Sequence, residues 1–256
     1  MHPKRIALCF SGQPRTWAKC YQMWLDLFKG QDTDIFFHFW NYNSPSSLSL
    51  HQLGQPTSDI IISHEERQKI VEVLQPKKFE FQTIKHGINV ASSYVKTPIA
   101  PWAHAQFYSV SKAAWLKRQY EIENNFEYDL VFRMRSDLAI SGNIDLPWVE
   151  PNTIYTVHNA KCDPTTHTFR IGDIFFAADS FTYDQIAGGF YHAFNYLEAN
   201  IAVPGFETYP PESALYYFCS SRGIANEHLK HSGDIKIMRD HEHLNRIGEL
   251  HGYETI

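Results

Sequence analysis

The chain has 256 residues, a hydrophobic content of 43%, a charged content of 20% and a formal net charge of −5. This length and composition predict one folded domain over residues 1–256 and exclude a long disordered region. The acidic balance excludes a protein held to nucleic acid by a broad basic surface, because phosphate neutralisation needs clustered Lys and Arg.

The cysteines and the apolar segments bear on the cellular compartment. Cys9, Cys20, Cys162 and Cys219 form no CxxC pair, which is typical of reduced thiols in a cytoplasmic protein. The apolar run at the amino terminus is too short for a signal peptide, and no segment approaches the roughly 20 apolar residues of a membrane-spanning helix. We therefore expect a cytoplasmic protein whose membrane contacts, if any, are peripheral.

The first elements predict a strand, a helix and a second strand. Arg5 to Phe10 is a continuous apolar run that ends in the polar turn Ser11 to Pro14, as a buried strand does. Residues 16–29 have a helical pattern. The aromatic run Asp34 to Trp40 predicts the next strand. Together they predict a βαβ unit, which opens a parallel sheet.

A second helix and strand follow in the sequence. Ser63 and Glu66 form a capping box, and Pro76 ends the apolar stripe that follows it. The segment from Lys78 to Gln82 predicts another strand. Residues 84–102 lack periodicity and predict a long surface loop.

The middle of the chain returns to clear periodicity. Helical spacing over 103–125 predicts the longest helix, and the apolar run from Tyr128 to Met134 predicts a core strand after it. Thr153 to His158 and Gly172 to Ala177 predict two more strands. The central sheet is thus expected to be mostly parallel.

The carboxyl-terminal third predicts two helices and an edge strand. Asp179 or Ser180 caps the first helix, and a second runs from the Pro210-Pro211 pair to Gly223. Residues 234–238 predict the edge strand. The fold class predicted by all these elements is α/β, a Rossmann-like sheet flanked by helices.

Polar residues stand directly after the first strand. Open α/β sheets bind ligands beyond the carboxyl ends of their strands. Ser11 and Gly12 offer backbone N–H groups, and Arg15 offers a bidentate donor, all suited to a pyrophosphate. The alternative is an ordinary turn with a surface arginine.

Charged residues also follow the core strand. Alternation along a strand places Arg133, Arg135 and Asp137 on one side. The Asp137 carboxylate suits Mn²⁺ or Mg²⁺ bound to diphosphate oxygens, while the arginines neutralise the same diphosphate. The alternative is an internal Arg–Asp salt bridge. The hypothesis of a shared site requires Arg15 and Asp137 to face one crevice that can hold two linked phosphates. It fails if Asp137 is sealed in an ion pair with no cavity beside it.

Two segments carry a resemblance to a known family. Lys4 to Arg15 resembles the opening of GT-A-fold nucleotide-sugar glycosyltransferases, notably the WavE lipopolysaccharide-synthesis group, and Tyr128 to Asp137 is similar to the DxD segment of that group. The resemblance implies a GT-A-like sheet with the donor nucleotide near Ser11, Gly12 and Arg15. It also implies diphosphate and metal near Asp137. The first acid of the DxD is Arg135 here, which puts strict metal dependence in doubt.

The same resemblance suggests residues on the acceptor side. Asp173 and Glu212 are similar in placement to the acids that such enzymes use there, and an inverting enzyme needs a carboxylate to take the acceptor proton. His231 is the histidine implied to complete the metal shell. The alternatives are an ordinary first-turn acid for Glu212 and a surface position for His231.

The function expected is transfer of a sugar from a nucleotide-diphosphate donor to an acceptor that the sequence does not identify. One alternative is a non-catalytic nucleotide- or carbohydrate-binding protein on the same fold, since the imperfect DxD is compatible with lost activity. Another is a phage-type DNA-base glycosyltransferase, against which the acidic net charge argues.

Overall fold

The computed structural model describes residues 4–43, 60–83, 101–145, 149–157, 161–163, 168–189 and 211–237. Strands and helices alternate in its first half: β1 (Arg5–Gly12), α1 (Trp17–Leu27), β2 (Asp32–Trp40), β3 (Tyr42–Asn43), β4 (Ile60–Ile61), α2 (His64–Leu74), β5 (Lys78–Gln82), α3 (Pro101–Asn124) and β6 (Leu130–Met134). The predicted loop over 84–102 lies outside the described residues up to position 100. Its last two residues belong to α3 instead, where Pro101 stands in the first turn, a position that tolerates proline.

Short strands dominate the second half, which contains β7 (Leu138–Ile140), β8 (Thr153–Thr156), β9 (Lys161–Asp163), β10 (Thr168–Arg170), β11 (Phe176–Ala178), α4 (180–189), α5 (Pro211–Ser221), β12 (Ala225–His228) and β13 (Ile235–Ile237). β11 begins at Phe176, four residues later than the predicted strand start at Gly172. β13 pairs with β7 in a separate ribbon and does not form the edge of the main sheet.

The main sheet has seven strands in the order β12-β8-β11-β6-β1-β2-β5. β11 runs antiparallel to both of its neighbours, and the other pairings are parallel. The predicted α/β class with a mostly parallel sheet flanked by helices is confirmed.

The order of the strands reverses beside β1. The chain moves outward from β1 to β2 and β5, and then α3 carries it back to β6 on the other side of β1. In open α/β sheets such a reversal opens a crevice beyond the carboxyl ends of the two strands, and ligands bind there. The crevice between β1 and β6 is therefore the first place to look for a site.

Each face of the sheet is covered by its own helices. On one face Trp24 of α1 packs among Phe10 and Phe132, and its indole N–H donates to the Leu138 carbonyl oxygen at 2.6 Å. On the other face α3, α4 and α5 pack against Cys9 of β1 and neighbouring apolar residues. The indole bond fixes the start of β7 against α1, which positions the loop between β6 and β7.

The helix boundaries follow the predicted caps. The Ser63 hydroxyl accepts from the Glu66 N–H at 3.1 Å, and Gln75 takes a left-handed conformation after α2. Asp179 Oδ1 accepts from the Thr182 N–H at 2.9 Å at the start of α4. Gly223 follows α5 with φ +67°, a conformation that glycine adopts without steric strain. Among the helices described, none is long and apolar enough to cross a membrane.

Candidate functional site

The loops after β1 and β6 meet through Arg15 and Asp137. Arg15 Nη1 donates to Asp137 Oδ2 at 2.9 Å, and the two side chains are 17% and 2% exposed. Arg15 Nε also donates to Gln13 Oε1 at 3.0 Å, and the Ser136 hydroxyl donates to the Gln13 carbonyl oxygen. The predicted pair therefore meets at the carboxyl ends of β1 and β6, where the strand order reverses, and the two side chains are joined in an ion pair.

Arg135 holds the same carboxylate from the other side. Its Nε donates to Asp137 Oδ1 and its Nη2 to Asp137 Oδ2, both at 2.8 Å. Burial disfavours the charge of Arg135, but the carboxylates of Asp137, Asp173 and Glu212 together outweigh it, so the pKa of the guanidinium lies above its ordinary value. The internal Arg–Asp salt bridge, which was the alternative to a metal site, is thus present.

Arg133 lies inside the protein on the opposite strand face from Phe132. It is 1% exposed, and its Nε and Nη1 have no hydrogen-bond partner in the part of the chain that the structure describes. Burial lowers the pKa of Arg133 to about 10, although the Asp173 carboxylate acts in the opposite direction. A buried guanidinium with N–H groups that lack hydrogen-bond partners is costly, and such groups concentrate at functional sites.

Asp173 lies near Arg133 and Arg135 because β11 runs antiparallel to β6. The amino end of an antiparallel strand lies at the same edge as the carboxyl ends of its parallel neighbours, so Asp173, just before β11, comes close to Arg133 and Arg135. The side chain is 6% exposed and accepts from Gln106 Nε2. It also lines a cavity of about 10 Å³, room for about one water molecule.

Glu212 approaches the cluster from α5. It lies half-buried in the first turn of that helix, and its carboxylate acts electrostatically on Arg135. Its backbone oxygen accepts from the Ile171 N–H at 3.3 Å, which holds α5 beside the segment that carries Asp173. The structure therefore brings both predicted acceptor-side acids close to the arginines.

Gly12 differs from its predicted role. Its N–H donates to the Ser109 hydroxyl of α3 at 2.7 Å, so it is not the exposed donor that the sequence predicted. The Ser11 hydroxyl is buried and has no hydrogen-bond partner among the described residues. Ser109 of α3 thus takes the Gly12 N–H, whereas the space in which a Cβ would stand at Gly12 is open.

Sequence reasoning missed a buried polar network around Ser109. His38 Nδ1 lies 2.8 Å from the Ser109 hydroxyl, and His38 Nε2 lies 2.8 Å from Gln82 Oε1. Burial lowers the pKa of His38 to about 4, so the imidazole is neutral at pH 7. A histidine inside the aromatic run of β2 was the available signal, since buried polar groups need partners.

His231 lies away from Asp137. It pairs with Ile144 at one end of the β7–β13 ribbon, whereas Asp137 precedes Leu138 at the other end. Its Nδ1 lies 3.2 Å from the Leu229 carbonyl oxygen. The structure does not bring this histidine to the aspartate whose metal shell it was expected to complete.

The described residues do not fit a divalent cation at Asp137. Both carboxylate oxygens already accept hydrogen bonds from guanidinium groups. Within the described ranges, no group of three or more His, Cys, Asp or Glu side chains is placed to hold a metal. Even a cation held mainly by diphosphate oxygens needs a carboxylate oxygen here, and it would have to displace the guanidinium bonds of Asp137 to obtain one.

No protein-family model matches the chain, and no curated protein matches its sequence. The function proposed for the chain therefore rests on its motifs and on the charged side chains at the carboxyl ends of β1 and β6.

Proposed function

We propose that the chain is a glycosyltransferase that moves a sugar from a nucleotide-diphosphate donor, and that the edge between β1 and β6 binds the diphosphate. The observation that carries the proposal is the convergence of Arg15, Arg133 and Arg135 at the point where the strand order reverses. Guanidinium groups match phosphate oxygens in geometry and charge. Donors fixed in advance stabilise the charge that develops on a departing diphosphate.

The resemblance and the geometry support the same site. The two segments similar to the glycosyltransferase group contain β1 and β6 with the residues that follow them, and these strands are neighbours in the sheet. A GT-A-like arrangement is the finer fold that we propose for the observed α/β sheet. A cytoplasmic location, with any membrane contact peripheral, belongs to the same proposal.

We assign the acceptor side to Asp173 and Glu212. In an inverting transfer, a carboxylate takes the acceptor hydroxyl proton as that oxygen attacks the anomeric carbon. The bond from the anomeric carbon to the diphosphate oxygen breaks, and the diphosphate leaves with the electron pair. Both acids act electrostatically on Arg135, so proton acceptor and leaving-group site are close together.

The experiment that tests the proposal measures nucleotide release from UDP-, GDP-, ADP- and dTDP-sugars, with and without EDTA. We expect release from at least one donor and its loss in Arg133→Met. Arg5→Met is the matched control, because Arg5 is exposed at the opposite end of β1. No release from any of these donors under either condition counts against the proposal.

A second candidate is a non-catalytic nucleotide- or carbohydrate-binding protein. The enclosure of Asp137 between two arginines, in place of an intact DxD, favours it. Binding of UDP or GDP without turnover, unchanged in Asp137→Ala, would support this candidate. Salt-sensitive binding to duplex DNA would instead indicate the DNA-base glycosyltransferase.

A further inference from the structure

We infer that guanidinium groups at the carboxyl ends of β1 and β6 bind the diphosphate in place of a divalent cation. Asp137 is then a positioning residue for Arg15 and Arg135. The inference rests on the proposed function, which supplies the diphosphate.

Both carboxylate oxygens of Asp137 are engaged by guanidinium groups. Its oxygens accept three N–H bonds of 2.8, 2.8 and 2.9 Å from Arg135 and Arg15. A cation at those oxygens would displace these bonds and lie beside two positive guanidinium groups. Because Asp137 is only 2% exposed, water would screen that repulsion poorly. The carboxylate is therefore suited to fixing the two arginines in place.

Arg133 and Arg135 supply N–H donors that suit a phosphate. A guanidinium has five N–H donors, and Arg135 uses two of them on Asp137. Arg133 contributes Nε and Nη1, both without a hydrogen-bond partner among the described residues. A phosphate oxygen accepts several such bonds, and a rigid guanidinium loses little freedom on binding.

The charge of Arg133 also favours an anion. Arg133 is fully buried, and burial disfavours its charge, although the Asp173 carboxylate partly offsets this. An anion that accepts hydrogen bonds from Nε and Nη1 of Arg133 would stabilise this buried charge.

Calorimetric titration with inorganic pyrophosphate tests this inference without knowledge of the nucleobase. We expect the Kd in EDTA to stay within about threefold of the Kd in Mn²⁺. Arg133→Met should weaken binding at least about tenfold, as loss of a charge-assisted hydrogen bond does. Arg133→Lys keeps the charge and should weaken it less, while Arg5→Met should have no effect. Circular dichroism establishes that each variant is folded.

Asp137→Asn separates a positioning role from metal ligation. In that variant we expect titrations with and without Mn²⁺ to agree with each other, as in the wild type. Wild-type binding that requires Mn²⁺, with loss of that Mn²⁺-dependent binding in Asp137→Asn or without it, would overturn the inference and leave the proposed function standing. Failure of pyrophosphate, UDP, GDP, ADP and dTDP to bind in both EDTA and Mn²⁺ would overturn both the inference and the proposed function.

Discussion

Arg15 and Asp137, 122 residues apart in the chain, are joined by a bond of 2.9 Å between Nη1 and Oδ2. The bond connects the loop after β1 to the loop after β6, at the place where the strand order reverses. Arg135 holds the same carboxylate through two further bonds. A single aspartate thus organises two of the three arginines assigned to the diphosphate.

Asp137→Ala should destabilise the protein by about 3 kcal/mol, because it leaves two largely buried guanidinium groups without their carboxylate. Urea unfolding followed by circular dichroism measures this loss. Asp32→Ala is the control, since Asp32 is 58% exposed and lies 3.7 Å from Arg5 Nε. That exposed pair should contribute no more than about 0.5 kcal/mol. Equal losses in the two variants would contradict the structural role of Asp137.

Arg133→Met should leave the free energy of unfolding unchanged or raise it. The side chain is buried and two of its nitrogens lack partners among the described residues, so an apolar group of similar length removes a cost. Thermal and urea unfolding of the variant measure this. A loss of more than about 2 kcal/mol would indicate that Arg133 has a structural role instead.

His38 should make the protein less stable as the pH falls from about 6.5 to about 4. Burial lowers the pKa of His38 to about 4 in the folded state, whereas an unfolded chain takes up the proton near its usual pKa of about 6.5. The stabilisation is complete above pH 6.5 and falls by up to about 3 kcal/mol by pH 4.

Unfolding free energies of His38→Gln and the wild type, measured at pH 7.5, 6, 5 and 4, test this dependence. The difference between the two proteins should shrink as the pH falls. His64→Gln removes an exposed histidine and serves as the control. A constant difference across the pH range would show that His38 does not stay neutral in the fold.

Asp173→Asn should lower kcat about 10²- to 10⁴-fold if this carboxylate takes the acceptor proton. The amide keeps the size of the side chain and its contact with Gln106, so donor KM should change far less than kcat. Steady-state kinetics of Asp173→Asn and Glu212→Gln, with one donor and one acceptor, distinguish the two acids. A kcat for Asp173→Asn near the wild-type value would remove Asp173 from the proton transfer.

The sequence was sufficient to predict the elements whose apolar pattern is continuous. β1, β2, α3 and β6 lie where their buried runs predicted, and α2 begins at its capping box. β12 was missed because its residues are largely exposed at the edge of the sheet and show no apolar pattern. Local sequence patterns thus located the core strands but not the outer strand β12.

The site was only partly predictable, because its assembly depends on topology and side-chain packing. The sequence marked Arg15, Arg135 and Asp137 as neighbours, but not the bidentate bond that encloses the carboxylate. Asp173 reaches the same edge through the reversal of β11, which no local pattern indicates. The Gly12 N–H is taken by Ser109, a partner 97 residues away.

Diphosphate binding at the carboxyl ends of β1 and β6 can be measured by calorimetric titration of UDP, GDP, ADP and dTDP into the wild type and Arg133→Met. At least one nucleotide should bind the wild type and raise its Tm, since a ligand of the native state stabilises it. Arg133→Met should stay folded and lose that binding at least about tenfold. Equal affinity of the two proteins for every nucleotide, or binding by neither, would contradict diphosphate binding at these strand ends.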